Sequence, residues 1–219
     1  MDLIPSETSL VVAGSWNAAI LTPSWMLQHG FGREPGGEPR RVQVFLPAVQ
    51  GSIFDFPRYS LEELSYVVRP DALLFAPSES TPERFAFAEQ VTARVVRVLS
   101  HTPITGIGHN FEFRDLTPTP EEVAVFTGSR QDLVDQVPVG WAPAGTAIAS
   151  VFKNQTDSVH VSIQRQWDAG AISVKFNFHH PVANNAQAVA VLEGTEGYVS
   201  MAANLALAER LITTLYGRD

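Results

Sequence analysis

The sequence contains no cysteine, which excludes disulfides, thiolate zinc sites and cysteine nucleophiles at once. A reducing compartment is therefore permitted. Long apolar runs are also missing: the longest are a few residues, against the ~20 that a membrane-spanning helix requires. The opening Met1-Asp-Leu-Ile-Pro5 carries no basic stretch followed by an apolar one. A soluble, cytoplasmic protein with no membrane attachment is expected.

Positive charge is the third scarcity. The 15 Lys and Arg stand against 23 Asp and Glu, a formal net charge of −8, and no basic cluster exceeds Arg40-Arg41. Phosphate recognition needs concentrated Lys and Arg, so direct nucleic-acid binding is not expected. An acidic surface would instead steer a basic protein partner. Catalytic signatures are missing as well: there is no Gly-x-Ser-x-Gly elbow, Gly-Lys-Ser/Thr phosphate loop, His-Glu-x-x-His or EF-hand loop. No catalytic residue, metal or cofactor is assigned. Asn154-Gln-Thr156 matches a glycosylation acceptor but reads as a hairpin turn in a chain without a signal peptide.

What is present suits a globular protein, with 45% hydrophobic and 17% charged residues. The length allows one compact domain over residues 1–219, with two lobes of about 1–115 and 116–219 as the alternative division. Residues 30–39, rich in Gly and Pro, read as a long connection. Leu10–Ala13 and Ala18–Leu21 read as short strands, and Thr22-Pro23 as the start of a short helix ending near Gly30. Val42–Leu46, a segment around Ile53, Phe54 and Phe56, Tyr66–Arg69 and Ala72–Phe75 continue the β pattern. Thr81-Pro82-Glu83 opens a helix with a cap, a proline at its first position and an acid at its positive end.

Ile104–Arg114 reads as a strand, with His109, Phe111 and Phe113 on one face and Asn110, Glu112 and Arg114 on the other. Gly106 and Gly108 suggest a bulge or a close approach of backbone. Gly106-Ile-Gly-His-Asn110 lacks the strand-to-helix context of a phosphate loop. Two short helices are expected at Pro120–Phe126 and Ser129–Gln136. Glu121 and Glu122 need no role beyond complementing the helix dipole. Of the four tryptophans, Trp16, Trp25, Trp141 and Trp167, one or two left exposed would anchor an interface.

From Ala144 to His179 the apolar alternation predicts three consecutive antiparallel strands joined by turns at 154–157 and 168–171. Directly opposed residues share a face. Val159, Val161 and Ile163 therefore oppose Phe178, Phe176 and Val174, which requires a two- or four-residue second loop. A three-residue loop would expose half the apolar set. The same parity at the first turn sets Phe152 opposite Val159 and Ile148 opposite Ile163.

The fold class is α+β: a predominantly antiparallel sheet with a C-terminal three-strand meander (about 144–179) packed against long helices (about 82–100 and 197–216). The meander's other face carries His160 opposite His179, Ser162 opposite Asn177, Gln164 opposite Lys175 and Gln166 opposite Ser173. His160, His179, Asn177, Gln164 and Lys175 are the candidate ligand contacts, with Lys175 an anion anchor. No Asp or Glu within that row completes a metal site. The function expected first is a non-catalytic protein-binding or assembly subunit that engages another protein or itself. The alternative is a small-molecule-binding protein or enzyme with its pocket around His160 and His179.

Overall fold

The computed structural model describes residues 1–34, 41–46, 56–128, 135–141, 143–168 and 170–217. The expected strand around Ile53 and the expected helix at Ser129–Gln136 lie outside them, wholly or in large part. The strands are β1 (Asp2–Leu3), β2 (Ser9–Gly14), β3 (Val42–Phe45), β4 (Arg58–Leu61), β5 (Leu64–Val68), β6 (Ala72–Pro77), β7 (Ile104–Asp115), β8 (Gly145–Lys153), β9 (His160–Asp168) and β10 (Ala171–Pro181). They form one sheet in the order β3-β4-β5-β6-β2-β7-β10-β9-β8, with β1 also paired to β7. Every pairing is antiparallel.

Alternation fixes which face each side chain takes. Leu10 opposes His109, Phe111 opposes Phe176, Phe113 opposes Val174 and Ile163 opposes Phe176. These residues share one face, and on β2, β7 and β10 they are buried. Each large side chain removed from water there contributes roughly 1.5–3 kcal/mol. Phe111 meets Phe85 edge-on, and Phe113 meets Phe176 in the same way.

Helices cover that face. A helical turn, α1 (Pro23–Trp25), is capped by the Thr22 hydroxyl and runs into a wider turn at Met26–Gly30. The long helix α2 (Pro82–Val98) starts where Thr81 accepts the Arg84 N–H. It buries Phe85, Ala88, Val91 and Val95 along one stripe. Then follow α3 (Pro120–Gly128), α4 (Asn185–Leu192) and α5 (Met201–Tyr216). Asn184 and Ser200 cap the last two by accepting the N–H groups of Gln187 and Ala203.

Several expectations change. Residues 18–21 form a turn rather than a strand, because Asn17 accepts the N–H groups of Ala19 and Ile20. The first C-terminal loop keeps four residues but lies one position later, at 155–158. Asn154 sets it by accepting the Ser158 and Val159 N–H groups on its carboxamide oxygen. Phe152 therefore opposes Val161, and Ile148 opposes Arg165. At the second turn Asp168 pairs with Ala171 around a two-residue loop, which shifts the expected apolar pairs by two residues with their face kept: Val161 opposes Phe178, Ile163 opposes Phe176 and Val174 meets Arg165. The main contacts of α5 are with α2 and β7, and it is α3 that lies against β8 and β9. Helix α4, which the sequence reading lacked, packs on α2 and β7.

The two strand glycines of β7 mark close approaches. A Cβ at Gly106 would sit 2.3 Å from the His179 ring, and one at Gly108 would sit 3.3 Å from the Asn177 amide. Gly106→Ala is expected to cost about 1–3 kcal/mol by displacing the imidazole. Gly128→Ala, where nothing lies within 4 Å, should change stability by less than about 0.5 kcal/mol. Urea unfolding of the two variants measures the difference; equal stabilities would contradict the packing described.

Candidate functional site

Strand order determines what the uncovered face displays. Three rows cross the seam of β9, β10 and β7: Gln164, Lys175 and Glu112; Ser162, Asn177 and Asn110; His160, His179 and Gly108. All five candidate residues thus lie together on one face. β7 adds Glu112, a carboxylate that the meander alone does not contain.

These side chains largely satisfy one another. Glu112 is 4% exposed and takes Lys175 Nζ at 3.3 Å and Arg114 at 2.9 Å. Lys175 is thus ion-paired to Glu112 on this face, with its side chain still half exposed. Asn177 donates to Asn110 at 2.5 Å, and Asn110 donates to Ser9 at 3.2 Å. His160 Nε2 lies 2.7 Å from Asp157, which also takes Lys153 at 3.2 Å. The His160 hydrogen bond, then that of Lys153, holds the Asp157 carboxyl below its ordinary range. The His160 and His179 rings are 6.0 Å apart. Burial, and then the charge of His160, lowers the His179 pKa and so keeps that ring neutral at pH 7.

Beside these rows lies a concavity of about 340 Å³, lined by Ser9, Asn110, Glu112, Ser162, Gln164, Lys175 and Asn177, among others. Its amides and hydroxyls suit hydrogen bonding to a neutral polar group more than capture of an anion. Among the described residues, no group of three or more His, Asp and Glu side chains is placed to hold a metal ion.

A second polar cluster lies under the helices, where the sequence reading assigned no function. His109 and His180 are both buried, with ring centroids 5.4 Å apart. Asn204 of α5 donates to His109 Nδ1 at 2.9 Å, which leaves the ring proton on Nε2. Burial, then the charge of His180, brings His109 down to about 3. Burial brings His180 down to about 4, against the opposing pull of the Ser158 backbone. Glu89 of α2 accepts the Met201 N–H at the start of α5, at 2.7 Å, and burial raises it to about 7. The signal for both histidines was parity: His109 alternates with Phe111 and Phe113, and His180 with Phe176 and Phe178.

The third feature is the outer edge of the sheet. β8 ends the strand order, and among the described residues no strand pairs with its outer side. Val151 is 64% exposed on one face and Phe152 56% exposed on the other, while Trp141, just before the strand, is 69% exposed. At the opposite edge β3 is four residues long, less than half the nine of β8. No protein-family model matches the chain, and no curated protein matches its sequence.

The buried groups pull stability in opposite directions with pH. Glu89 has a raised folded pKa, so its contribution is complete below 4.5 and is lost as pH rises toward 7. The two histidines have lowered folded pKa values, so theirs is complete above 6.5 and is lost as pH falls toward 4 and 3. Glu89→Gln keeps an acceptor for Met201 and should gain about 1–3 kcal/mol at pH 8 while gaining little at pH 4. Chemical denaturation at both values checks this; an equal effect at both would contradict a buried, protonated Glu89.

Proposed function

We propose that the protein is a non-catalytic binding or assembly subunit of a cytoplasmic complex, and that it meets its partner along the outer edge of β8. The observation that carries this is the nine-residue end strand with large apolar side chains exposed on both faces. An unpaired strand edge offers a row of N–H and C=O groups that a partner strand can satisfy, and exposed apolar side chains beside it add burial. Natural edges are commonly protected by charge, proline or a covering element. β8 has one lysine, at its end, and no proline. The meander of about 144–179 carries that edge, and α3 lies against β8 and β9.

Native mass spectrometry of the protein isolated from its source tests the proposal. The expected result is a stoichiometric complex heavier than the 23.9 kDa chain that falls apart in Val151→Lys, whose side chain is exposed and whose fold should persist. A bare 23.9 kDa chain in the native preparation would refute it.

A second reading has its own support in the concavity that Gln164 and Asn177 line, and that neither His160 nor His179 lines: a small neutral polar ligand, bound there rather than around the two histidines. Replacing Gln164 and Asn177 by alanine should then abolish the amide shifts of Ser162 and Asn110 that a pool of small polar metabolites produces in NMR spectra. Shifts that persist in the double variant would remove the site.

A further inference from the structure

We infer that the occupant of the β8 edge is the β8 strand of a second copy of this chain, paired antiparallel about Ala149 and continuing the sheet from one copy into the next. The inference rests on the role proposed above for that edge and adds the partner and the register.

Centring the pair on Ala149 uses the full length of Gly145–Lys153. It places Gly145 opposite Lys153 of the second copy, Thr146 opposite Phe152, Ala147 opposite Val151 and Ile148 opposite Ser150. Directly opposed residues share a face, so this register keeps odd-numbered side chains together on the uncovered face. The large exposed groups, Val151 and Phe152, each fall beside a small one. Two identical edges meeting in this way form an isologous, closed pair, so assembly stops at two.

Charge fixes the ends. Gly145 pairs with Asp168 of β9 in its own copy, and Asp168 is exposed. Lys153, also exposed, lies on the same face as Asp168, so in the pair it reaches across the bare Gly145 position toward the carboxylate two strand spacings away, about 10 Å between backbones. A lysine stem and an aspartate side chain together span that gap. The two-fold axis makes two such bridges. Lys153 lies 3.2 Å from Asp157 of its own loop, an exposed contact that a bridge to the second copy can replace at little cost.

The experiment measures the mass and dissociation constant of the full chain by sedimentation, for the unaltered protein, Val151→Lys, Lys153→Asp, Asp168→Lys and the Lys153→Asp/Asp168→Lys double variant. The expected species is twice the 23.9 kDa chain mass. Each single charge variant should weaken it about tenfold, two bridges being lost, and the double variant should restore most of that loss. Val151→Lys should yield monomer with an unchanged circular dichroism spectrum. A 23.9 kDa monomer at high concentration overturns the self-pairing. So does a pair indifferent to Val151→Lys, or one that the double charge variant fails to restore. A native complex containing a different chain on an edge sensitive to Val151→Lys would overturn the self-pairing alone and leave the binding-subunit proposal standing.

Discussion

The seam between β7 and β10 holds the sheet together. It runs antiparallel from Ile172 opposite Asp115 to Pro181 opposite Gly106, and it joins strands from the two halves of the sequence into one sheet. On its covered side it stacks Phe111, Phe113, Phe176 and Phe178 into the core. On its open side it brings Glu112 to Lys175 and Asn110 to Asn177. Without this seam the meander would have only its own strands, and the polar rows would lose their buried carboxylate.

The two faces of that seam solve the problem of polar groups differently. On the open face charges and amides are paired with one another, so their desolvation is offset locally. On the covered face His109 and His180 remain neutral, and His109 Nε2 has no hydrogen-bond partner among the described residues. Glu89 is held protonated up to about neutral pH by its burial. Sheet and helices are therefore joined by groups whose protonation matters, and the attachment of α5 is the part of the fold most directly linked to pH.

Parity was the most legible property of the sequence. The alternation of His109, Phe111 and Phe113, and that of Val174, Phe176 and Phe178, was sufficient to place side chains on faces, because a one-residue slip would expose an entire apolar set. The opposition of His160 to His179 and of Gln164 to Lys175 follows from the same rule. The first loop was misplaced by one residue, since moving it keeps the parity and only the Asn154 carboxamide decides between the positions. Strand order was not legible at all: nothing local in Ile104–Asp115 says that its free side meets Ala171–Pro181. For that reason Glu112 was missed as the partner of Lys175. The exposure of β8 was missed too, because Phe152 reads as a core residue until the cover by α3 is seen to leave it open.

On the reading proposed above, the outer side of β8 is occupied when the protein is at work. Hydrogen–deuterium exchange across Gly145–Lys153, in the native assembly and after its dissociation, measures this directly. Strand pairing satisfies amide groups, so the outward-facing N–H groups of β8 should exchange slowly in the assembly and rapidly once it is dissociated, while β9 stays protected in both. Rapid exchange along β8 in the intact native assembly would show that this edge is left open.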